Sequence, residues 1–548
     1  MIPSVFGQGY YPITGVDVDP RASGVPLRQN INDIYAQGGP QWDLYIQALM
    51  AMYNTNSSND LSYFQISGIH GRPYREWNGG GSRRSDGWLG YCPHMEPLFL
   101  PWHRPYVLLF EQVLVGHARR IASQYPSRYR HDYTQAADRL RAPYWDWADN
   151  DDVPPATVPQ RVRINVVSGT RLRQVEVDNP LASYRFSRDV TNGNFGTFET
   201  GGRNMTYRCP SPRSYPYDAN RNMGRRPYKQ WTYDAFTVSR NFSEFSSSGE
   251  SGVSLEQIHN AVHWDAGCGG MFLNADYSAF DPLFMLHHTN VDRLWAYWQA
   301  IRPEHSLFRR TYSGGSRYST PGGSSISPRS PLNPFFRRNG EFHTSESVES
   351  IQGLGYTYQG LEYWYKTPEQ MGQDSRRLIN RLYAPSNSSQ NSVMRRDEQS
   401  TRFFISVSLD VTEVERPCSI EVSLNGQMAG SLVVMGQPDK GTFHGSFGLD
   451  EALQSQEMNE MTVEDAAKMI QTGIVVEITK VDGSKIPIAT VPSLSVDLED
   501  MTVTPASTED ELPRYGVPRL RPAGPLIMGE AARLRKLRSK IKHWLGQS

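Results

Sequence analysis

The sequence is poor in cysteine and has no excess of charge. Its 548 residues contain four cysteines, Cys92, Cys209, Cys268 and Cys418, and the formal net charge is −1. So few, widely spaced cysteines do not make a disulfide-stapled scaffold, and we expect reduced thiols. A nearly neutral chain gives no support for a nucleic-acid partner.

Long apolar runs are also missing. No run approaches the ~18 residues that a membrane-spanning helix needs, so we expect no membrane span. The start of the chain lacks the basic residues and the apolar stretch of a secretory signal. We therefore expect an intracellular protein.

A chain of this length exceeds what one hydrophobic core usually supports, which predicts at least two domains. Residues 1–385 are rich in aromatics, proline and glycine, and helical patterns surround their histidines. One such pattern, Gln41–Tyr53, predicts an amphipathic helix. The stretches 150–250 and 305–345 are rich in proline, glycine, serine and arginine, which predicts long loops.

The pattern changes after a polar stretch. Residues 386–400 are polar and include Arg395-Arg396, which predicts an exposed linker that a protease can cut. Residues 401–548 then show period-two alternation, typical of strands, and predict a β-rich domain with one helix from Thr462 to Gln471. Residues 533–545 predict a basic amphipathic helix, and docking on protein is favoured there over a membrane surface.

Histidine has the most informative distribution in the chain. Two trios stand out, with one further histidine beside the last member: His70, His94 and His103, then His259, His263 and His288, preceded by His287. The spacing of His259 and His263 places both imidazoles on one helical face, within reach of one ion. An isolated histidine pair at this spacing would be weak evidence for a metal site. The presence of two histidine trios in one chain strengthens that evidence.

The ligand type narrows the choice of metal. Imidazole ligands suit zinc or copper, whereas carboxylate-rich dinuclear sites suit iron or manganese. A single zinc ion held by three histidines is an alternative. Two similar neutral trios are better explained by two coppers that cycle between Cu(I) and Cu(II) around one O2 molecule.

Several motifs together resemble the type-3 copper proteins of the tyrosinase family, and fungal polyphenol oxidases in particular. They are Cys92-x-His94, residues 99–104 (Phe-Leu-Pro-Trp-His-Arg), residues 143–147 (Pro-Tyr-Trp-Asp-Trp), His259-xxx-His263 and the segment 281–293 around His288. The resemblance implies a mainly α catalytic core, in which a four-helix bundle holds a dicopper site, followed by a C-terminal β-rich domain.

The resemblance also implies roles for individual residues. Copper A would be held by His70, His94 and His103, and copper B by His259, His263 and His288. In the adjacent pair His287-His288 the family uses the second histidine as the ligand, so His287 would lie behind His288. Phe99 and Phe284 would line the pocket. Cys92 would form a thioether with His94, although a free buried cysteine is the alternative.

The implied reaction is the O2-dependent ortho-hydroxylation of monophenols and the oxidation of o-diphenols to o-quinones, as in melanin formation. A glutamate and an asparagine beside the first copper B histidine hold a water in this family. Here they would be Glu256 and Asn260, and a carboxylate beside a fixed water is a plausible proton acceptor. A surface glutamate and an ordinary asparagine are the alternative.

The resemblance further implies that residues 401–548 shield the active site until a protease cuts the linker. The Tyr356-x-Tyr358 pair resembles the motif that ends the family's catalytic core. Phe443, expected in a flexible stretch between hairpins, is the candidate side chain that would fill the copper pocket, with Phe447 and Phe404 as rivals. Cys418 stands alone where some relatives carry a Cys-x-x-Cys copper-loading pair.

Two other functions stay open. A catechol oxidase or o-aminophenol oxidase would share the coppers and lack the hydroxylation of monophenols. A haemocyanin-like oxygen carrier would bind O2 without turning over phenols. We expect small phenolic substrates and an activating protease, and a homo-oligomer is compatible with the sequence.

Overall fold

The computed structural model describes residues 9–20, 24–196, 198, 200–209, 214–385, 400–454, 461–522 and 527–528. The predicted linker and the predicted basic helix at 533–545 lie outside these residues, except for Ser400. None of the helices in the described ranges combines the length and apolar character that crossing a membrane requires.

The described chain up to residue 383 is mainly helical. Its α-helices are α1 (Ile31–Gln37), α2 (Gly39–Tyr53), α3 (Tyr63–Gly68), α4 (Phe99–Ala122), α5 (Ser127–Arg139), α6 (Arg188–Thr191), α7 (Tyr217–Met223), α8 (Tyr228–Val238), α9 (Phe242–Ser246), α10 (Leu255–Gly267), α11 (Leu283–Ile301) and α12 (Pro368–Tyr383). Helices α4 and α11 are buried on nearly all sides, as expected for apolar helices at the centre of a core. The predicted helix at Gln41–Tyr53 is confirmed as α2.

Short strands interrupt the helical part. They are β1 (Arg161–Ser168), β2 (Arg171–Asp178), β3 (Tyr312–Ser313), β4 (Ser325–Ile326), β5 (Pro331–Phe336) and β6 (Phe342–Thr344), which pair antiparallel in that order as three hairpins. The prediction of long loops over 150–250 and 305–345 was therefore wrong in part. The β1–β2 hairpin was not predicted because β2 is largely polar and carries no apolar run.

The C-terminal part is β-rich, as predicted. Its strands are β7 (Ser400–Asp410), β8 (Cys418–Leu424), β9 (Gln427–Val434), β10 (Thr442–Gly448), β11 (Ile474–Lys480), β12 (Lys485–Ile486), β13 (Ser495–Thr504), β14 (Arg514–Tyr515), β15 (Arg519–Pro522) and β16 (Ile527–Met528). One sheet has the order β10-β7-β13-β14, with β15 also on β13; the other has the order β12-β11-β8-β9, with β16 also on β11.

Local sequence signals explain several of these elements. The β8–β9 hairpin turns at Asn425 and Gly426, whose φ angles of 51° and 85° match the positive values that a type I′ turn requires. Helices α13 (Asp450–Gln454) and α14 (Val463–Gly473) accompany the sheets. The Thr462 side chain caps α14 by accepting a hydrogen bond from the Asp465 amide, and the predicted helix is confirmed.

The chain divides into two compact units that differ from the predicted sequence boundaries. The first comprises Met1–Arg225 and Val262–Leu378, and the second comprises Arg226–Ala261 and Ile379–Ser548. Helices α8 and α9 and the first half of α10 thus group with the C-terminal strands. Within the second unit, Arg402 on β7 forms ion pairs with Asp234 on α8 at 2.7 Å and with Asp450 at 2.5 Å.

A buried ionic network ties the first unit together. Asp292 on α11 accepts hydrogen bonds from Arg28, Arg104 and the hydroxyls of Tyr356 and Tyr358, at 2.5–2.9 Å. Arg104 follows His103 directly on α4, and Asp292 follows His288 by one helical turn. The network therefore fixes the helices that carry these two histidines.

The expectation of reduced thiols was wrong for two of the four cysteines. Cys209 and Cys268 form a disulfide, with 4.6 Å between their Cα atoms and 59 residues between them in sequence. Cys92 and Cys418 are buried, and neither takes part in a disulfide within the described part of the chain. The pairing depends on the loop before α7 meeting the end of α10, which a sequence spacing of this length does not reveal.

Candidate metal centre

The first histidine trio converges in the first unit. His70 follows α3, His94 lies in the loop before α4, and His103 is on the first turns of α4. Their ring centroids are 5.5 Å (His70–His94), 5.8 Å (His70–His103) and 5.8 Å (His94–His103) apart. All three residues are at most 8% exposed. The rings form a nearly equilateral triangle that can face one ion.

Hydrogen bonds orient these rings. The Nδ1 atoms of His70, His103 and His263 lie 3.0, 2.7 and 2.6 Å from backbone carbonyl oxygens. Burial lowers the pKa of His70 to about 4 and that of His263 to about 3. The imidazoles are therefore neutral, with the proton on Nδ1, which leaves the Nε2 lone pair for a metal.

The residues present fit copper. Nε2 of His70 is buried and has no hydrogen-bond partner among the described residues. A buried polar atom without a partner costs free energy, and a bound ion would satisfy it. Neutral imidazole nitrogens are ligands that copper prefers.

The second group lies on α10 and α11. His259, His263, His287 and His288 each offer a ligand nitrogen within 4.8 Å of the others. His259 and His263 are one helical turn apart on α10, as their spacing predicts. The ring of His288 stacks on that of His103 at 4.2 Å, which connects this group to the first trio.

The adjacent histidines occupy different surroundings. The ring of His287 lies 6.1 Å from Trp147 and 5.9 Å from Phe272, whereas that of His288 faces His103. This arrangement favours His288 as the ligand and His287 as the residue behind it. The choice between them stays a prediction.

Cys92 lies beside His94, which is in the loop before α4. Its Sγ is 3.6 Å from His94 Nδ1 and donates to the His70 carbonyl oxygen at 3.2 Å. Cys92 forms no disulfide with any described residue. Its position suits the thioether with His94 that the family resemblance implies. The thioether itself stays a prediction.

Two phenylalanines pack on the histidines. The ring of Phe99 lies 4.9 Å from that of His103, and the ring of Phe284 lies 4.9 Å from His70 and 4.2 Å from His288. Both are fully buried. Both predicted pocket residues therefore surround the ligand rings and restrict their rotation.

Glu256 and Asn260 flank His259 on α10, and both are buried. Asn260 Oδ1 lies 2.9 Å from His259 Nδ1, which orients this ring as the carbonyls orient the others. Glu256 Oε2 accepts hydrogen bonds from the amide of Ser248 at 2.8 Å and from its hydroxyl at 3.0 Å. The carboxylate is therefore held in one position.

Several contacts of Gln257 and Asn260 could not be predicted from the sequence. Gln257 exchanges two hydrogen bonds with the backbone of Ser446, and Asn260 Nδ2 donates to the carbonyl of Val433 at 3.4 Å. These partners are far apart in sequence, and no local pattern could have paired them.

Phe443 does not lie in the flexible stretch that we expected. It is a fully buried residue of β10, opposite Leu409 of β7. Phe447 shares its face of the strand, and this face packs on β9, since a Cβ at Gly430 would lie 2.3 Å from the Phe447 ring. These contacts favour a core role, and the shielding role of Phe443 stays a prediction.

The fold and the site together define a class of protein. A mainly helical core presents two groups of buried imidazoles side by side. Such an arrangement is the ligand set of a dinuclear metal centre built by histidine alone. The comparisons with known proteins agree with this class.

Residues 60–301 match the family model described as the common central domain of tyrosinase. The chain is 33% identical over 449 residues to a tyrosinase of Podospora anserina, covering 76% of this chain and 77% of that protein. A recombinant mushroom tyrosinase structure superposes with a TM-score of 0.80 at 22% identity, covering 94% of this chain and 100% of that one. A variant of Aspergillus oryzae pro-tyrosinase gives 0.73 at 21% identity, covering 96% and 99%.

The chain belongs to the tyrosinase family. It is a copper-dependent oxidoreductase, and its two histidine groups fit the two ions of the family's type-3 dicopper centre.

Proposed function

We propose that this enzyme is a latent tyrosinase. It hydroxylates monophenols at the ortho position, oxidises o-diphenols to o-quinones, and is restrained by its C-terminal segment until the linker at 386–400 is cut. Small phenols are the substrates, as in melanin formation. The intracellular location, the activating protease and a homo-oligomeric state stay predictions.

The position of Glu256 and Asn260 supports the hydroxylation of monophenols. A monophenol must lose its hydroxyl proton before its oxygen can approach the metals. Glu256 is one helical turn before His259, and its carboxylate is buried and fixed by Ser248. We assign to it the acceptance of this proton, directly or through a water.

The electron balance needs only O2. The two coppers, when bound, bring O2 to the phenol and take up and release electron pairs. One monophenol and one O2 give one o-quinone and one water, and two o-diphenols and one O2 give two o-quinones and two waters. The enzyme's own residues orient the ligands, exclude water and move the phenol proton.

Contacts within the second unit support latency. Strands β9 and β10, which follow the predicted linker in sequence, hydrogen-bond to residues 248, 257 and 260 next to His259. A segment attached to the ligand-bearing helix in this way can restrain it until cleavage weakens the attachment.

Oxygen uptake by the copper-loaded full-length protein tests this proposal, with L-tyrosine and with L-DOPA, before and after limited proteolysis in the linker. We expect low uptake before cleavage and strong uptake with both substrates after it. Uptake with L-DOPA alone would make the enzyme a catechol oxidase. Reversible oxygen binding without turnover would indicate a carrier.

A substitution tests the role of Glu256. Glu256→Gln should lower L-tyrosine uptake of the cleaved enzyme by about 10²-fold or more, because a general base contributes this much, and should affect L-DOPA uptake less. Glu369→Gln is the matched control, since Glu369 also lies in the first turn of a helix but is exposed. Equal losses with both substrates would remove Glu256 from its assigned role.

A further inference from the structure

Strand β10 presents an open edge. It is the first strand of its sheet and pairs with β7 on one side. Alternate residues of an antiparallel strand point their amide groups away from the partner strand. On β10 these include His444 and Ser446, and both find partners in residues that precede them by 189 positions or more.

Those partners lie around the start of α10. The His444 amide donates to the Ser248 carbonyl at 2.7 Å. The Ser446 amide donates to Gln257 Oε1 at 3.0 Å, and Gln257 Nε2 donates to the Ser446 carbonyl at 2.6 Å. The Gln257 side chain therefore takes the place of a neighbouring strand.

These contacts are buried and closely fitted. Ser248, Gln257 and Ser446 are at most 3% exposed. A Cβ at Gly445 would lie 3.1 Å from Gln257 Oε1 and 2.9 Å from Leu432, so the close approach depends on glycine. Breaking the contacts without water entry would leave buried polar groups unpaired, which favours the attached state.

The same contacts reach the proposed proton acceptor and its neighbour. Ser248, held by β10, donates twice to the Glu256 carboxylate. Asn260, which binds His259 Nδ1, also donates to Val433 at the end of β9. Asn260 thus contacts the C-terminal segment directly, and Glu256 is connected to it through Ser248.

We propose that β9 and β10 form a backbone clamp on α10. The clamp consists of Val433, His444 and Ser446 on the strands, with Ser248, Gln257 and Asn260 as their partners. Gln257 is its positioning residue. In the resting enzyme the clamp holds Glu256 and Asn260 in these hydrogen bonds, and it acts in addition to any side chain that fills the pocket. Its link to monophenol hydroxylation rests on the proposed function.

Variants of Gln257 in the full-length, uncleaved chain test the clamp. Gln257→Ala removes both hydrogen bonds, and Gln257→Glu keeps the acceptor but turns a carboxylate oxygen towards the Ser446 carbonyl. Each should raise L-DOPA uptake of the uncleaved, copper-loaded enzyme about tenfold. Gln257→Ala loses two buried hydrogen bonds and Gln257→Glu replaces one of them by a repulsion, and either change shifts the attached state by about this factor. L-tyrosine uptake should rise with it.

Hydrogen exchange supplies a readout that needs no activity. In the copper-free protein, the amides of His444 and Ser446 should exchange faster in both variants than in the wild type. Gln47→Ala is the matched control, because the Gln47 amide also hydrogen-bonds, to Asp43 and Tyr125, outside the clamp. It should leave the resting uptake and both exchange rates unchanged.

The outcomes separate the clamp from the proposed function. Unchanged exchange and unchanged uptake in both variants would overturn the clamp, as would faster exchange without a rise in uptake, because the contact would then be structural only. If the cleaved wild type oxidises L-DOPA but not L-tyrosine, the proposed hydroxylation fails, whereas the L-DOPA and exchange results still decide the clamp.

Discussion

Replacing Asp292 by asparagine should destabilise the helical core. The Asp292 carboxylate accepts hydrogen bonds from Arg28 at 2.9 Å, from Arg104 at 2.5 Å and from Tyr356 and Tyr358 at 2.7 Å each. The side chains of both arginines are fully buried. Asparagine keeps the shape of the side chain and removes the charge on which these four donors converge.

The magnitude follows from the burial of the partners. Removing one member of a buried ion pair costs about 3–5 kcal/mol, because the opposite charge stays buried without compensation. Arg28 retains Glu111 at 2.7 Å, which limits the loss on its side. Arg104 retains only neutral acceptors among the contacts of the described chain, including the carbonyls of residues 348 and 349.

Urea unfolding of the copper-free protein measures this loss, since bound metal would add its own stabilisation. Glu346→Gln is the control: the side chains of Arg329 and Glu346 are 82% and 42% exposed, and such a surface pair contributes about 0–1 kcal/mol. If Asp292→Asn unfolds within about 1 kcal/mol of the wild type, as the control should, the argument from buried charge is refuted.

The ionisation of Asp292 predicts that the stability of the folded protein depends on pH. Burial opposes ionisation of Asp292, but Arg104 and Arg28 outweigh it and hold the pKa of this carboxyl below its usual range. Unfolding restores the ordinary pKa of about 3.9. The stabilisation is therefore complete above that value and is lost as the pH falls through the lower folded pKa. Between these two pKa values Asp292→Asn should lose stability less steeply with falling pH than the wild type.

Three further predictions concern the metal centre and the β-rich part. His288→Ala should retain about half of the wild-type copper, and His287→Ala nearly all of it, by metal analysis; the reverse order would make His287 the ligand. In the peptide spanning Cys92 and His94, mass spectrometry of the copper-loaded, oxygen-exposed protein should show the loss of two hydrogens that a thioether requires, and an unchanged mass would leave Cys92 a free thiol. Thr462→Ala should cost about 1 kcal/mol in urea unfolding because α14 loses its cap, whereas Thr490→Ala, outside any α-helix, should cost less.

Some of the site could be predicted because its chemistry is carried by residue type and short spacing. His259 and His263 face the same way on any helix, and a set of histidines without carboxylates already narrows the metal. Turns and caps are equally local, as Asn425-Gly426 and Thr462 illustrate. The location of Phe443 was predicted wrongly, because a glycine-flanked stretch suggested a flexible segment whereas its strand forms by pairing with β7.

The sequence by itself determined that two groups of histidines form the candidate site, the order of a helical part before a β-rich part, and the helix α14, because these depend on residue type and on interactions within a few residues of one another. Only the tertiary structure decided the Cys209–Cys268 disulfide, the four donors on Asp292 and the contact of Gln257 with Ser446, which spans 189 positions. Such pairings depend on the path of the whole chain. The free energy that selects the polar contacts comes from burying polar groups together, and this produces no periodic pattern in the sequence.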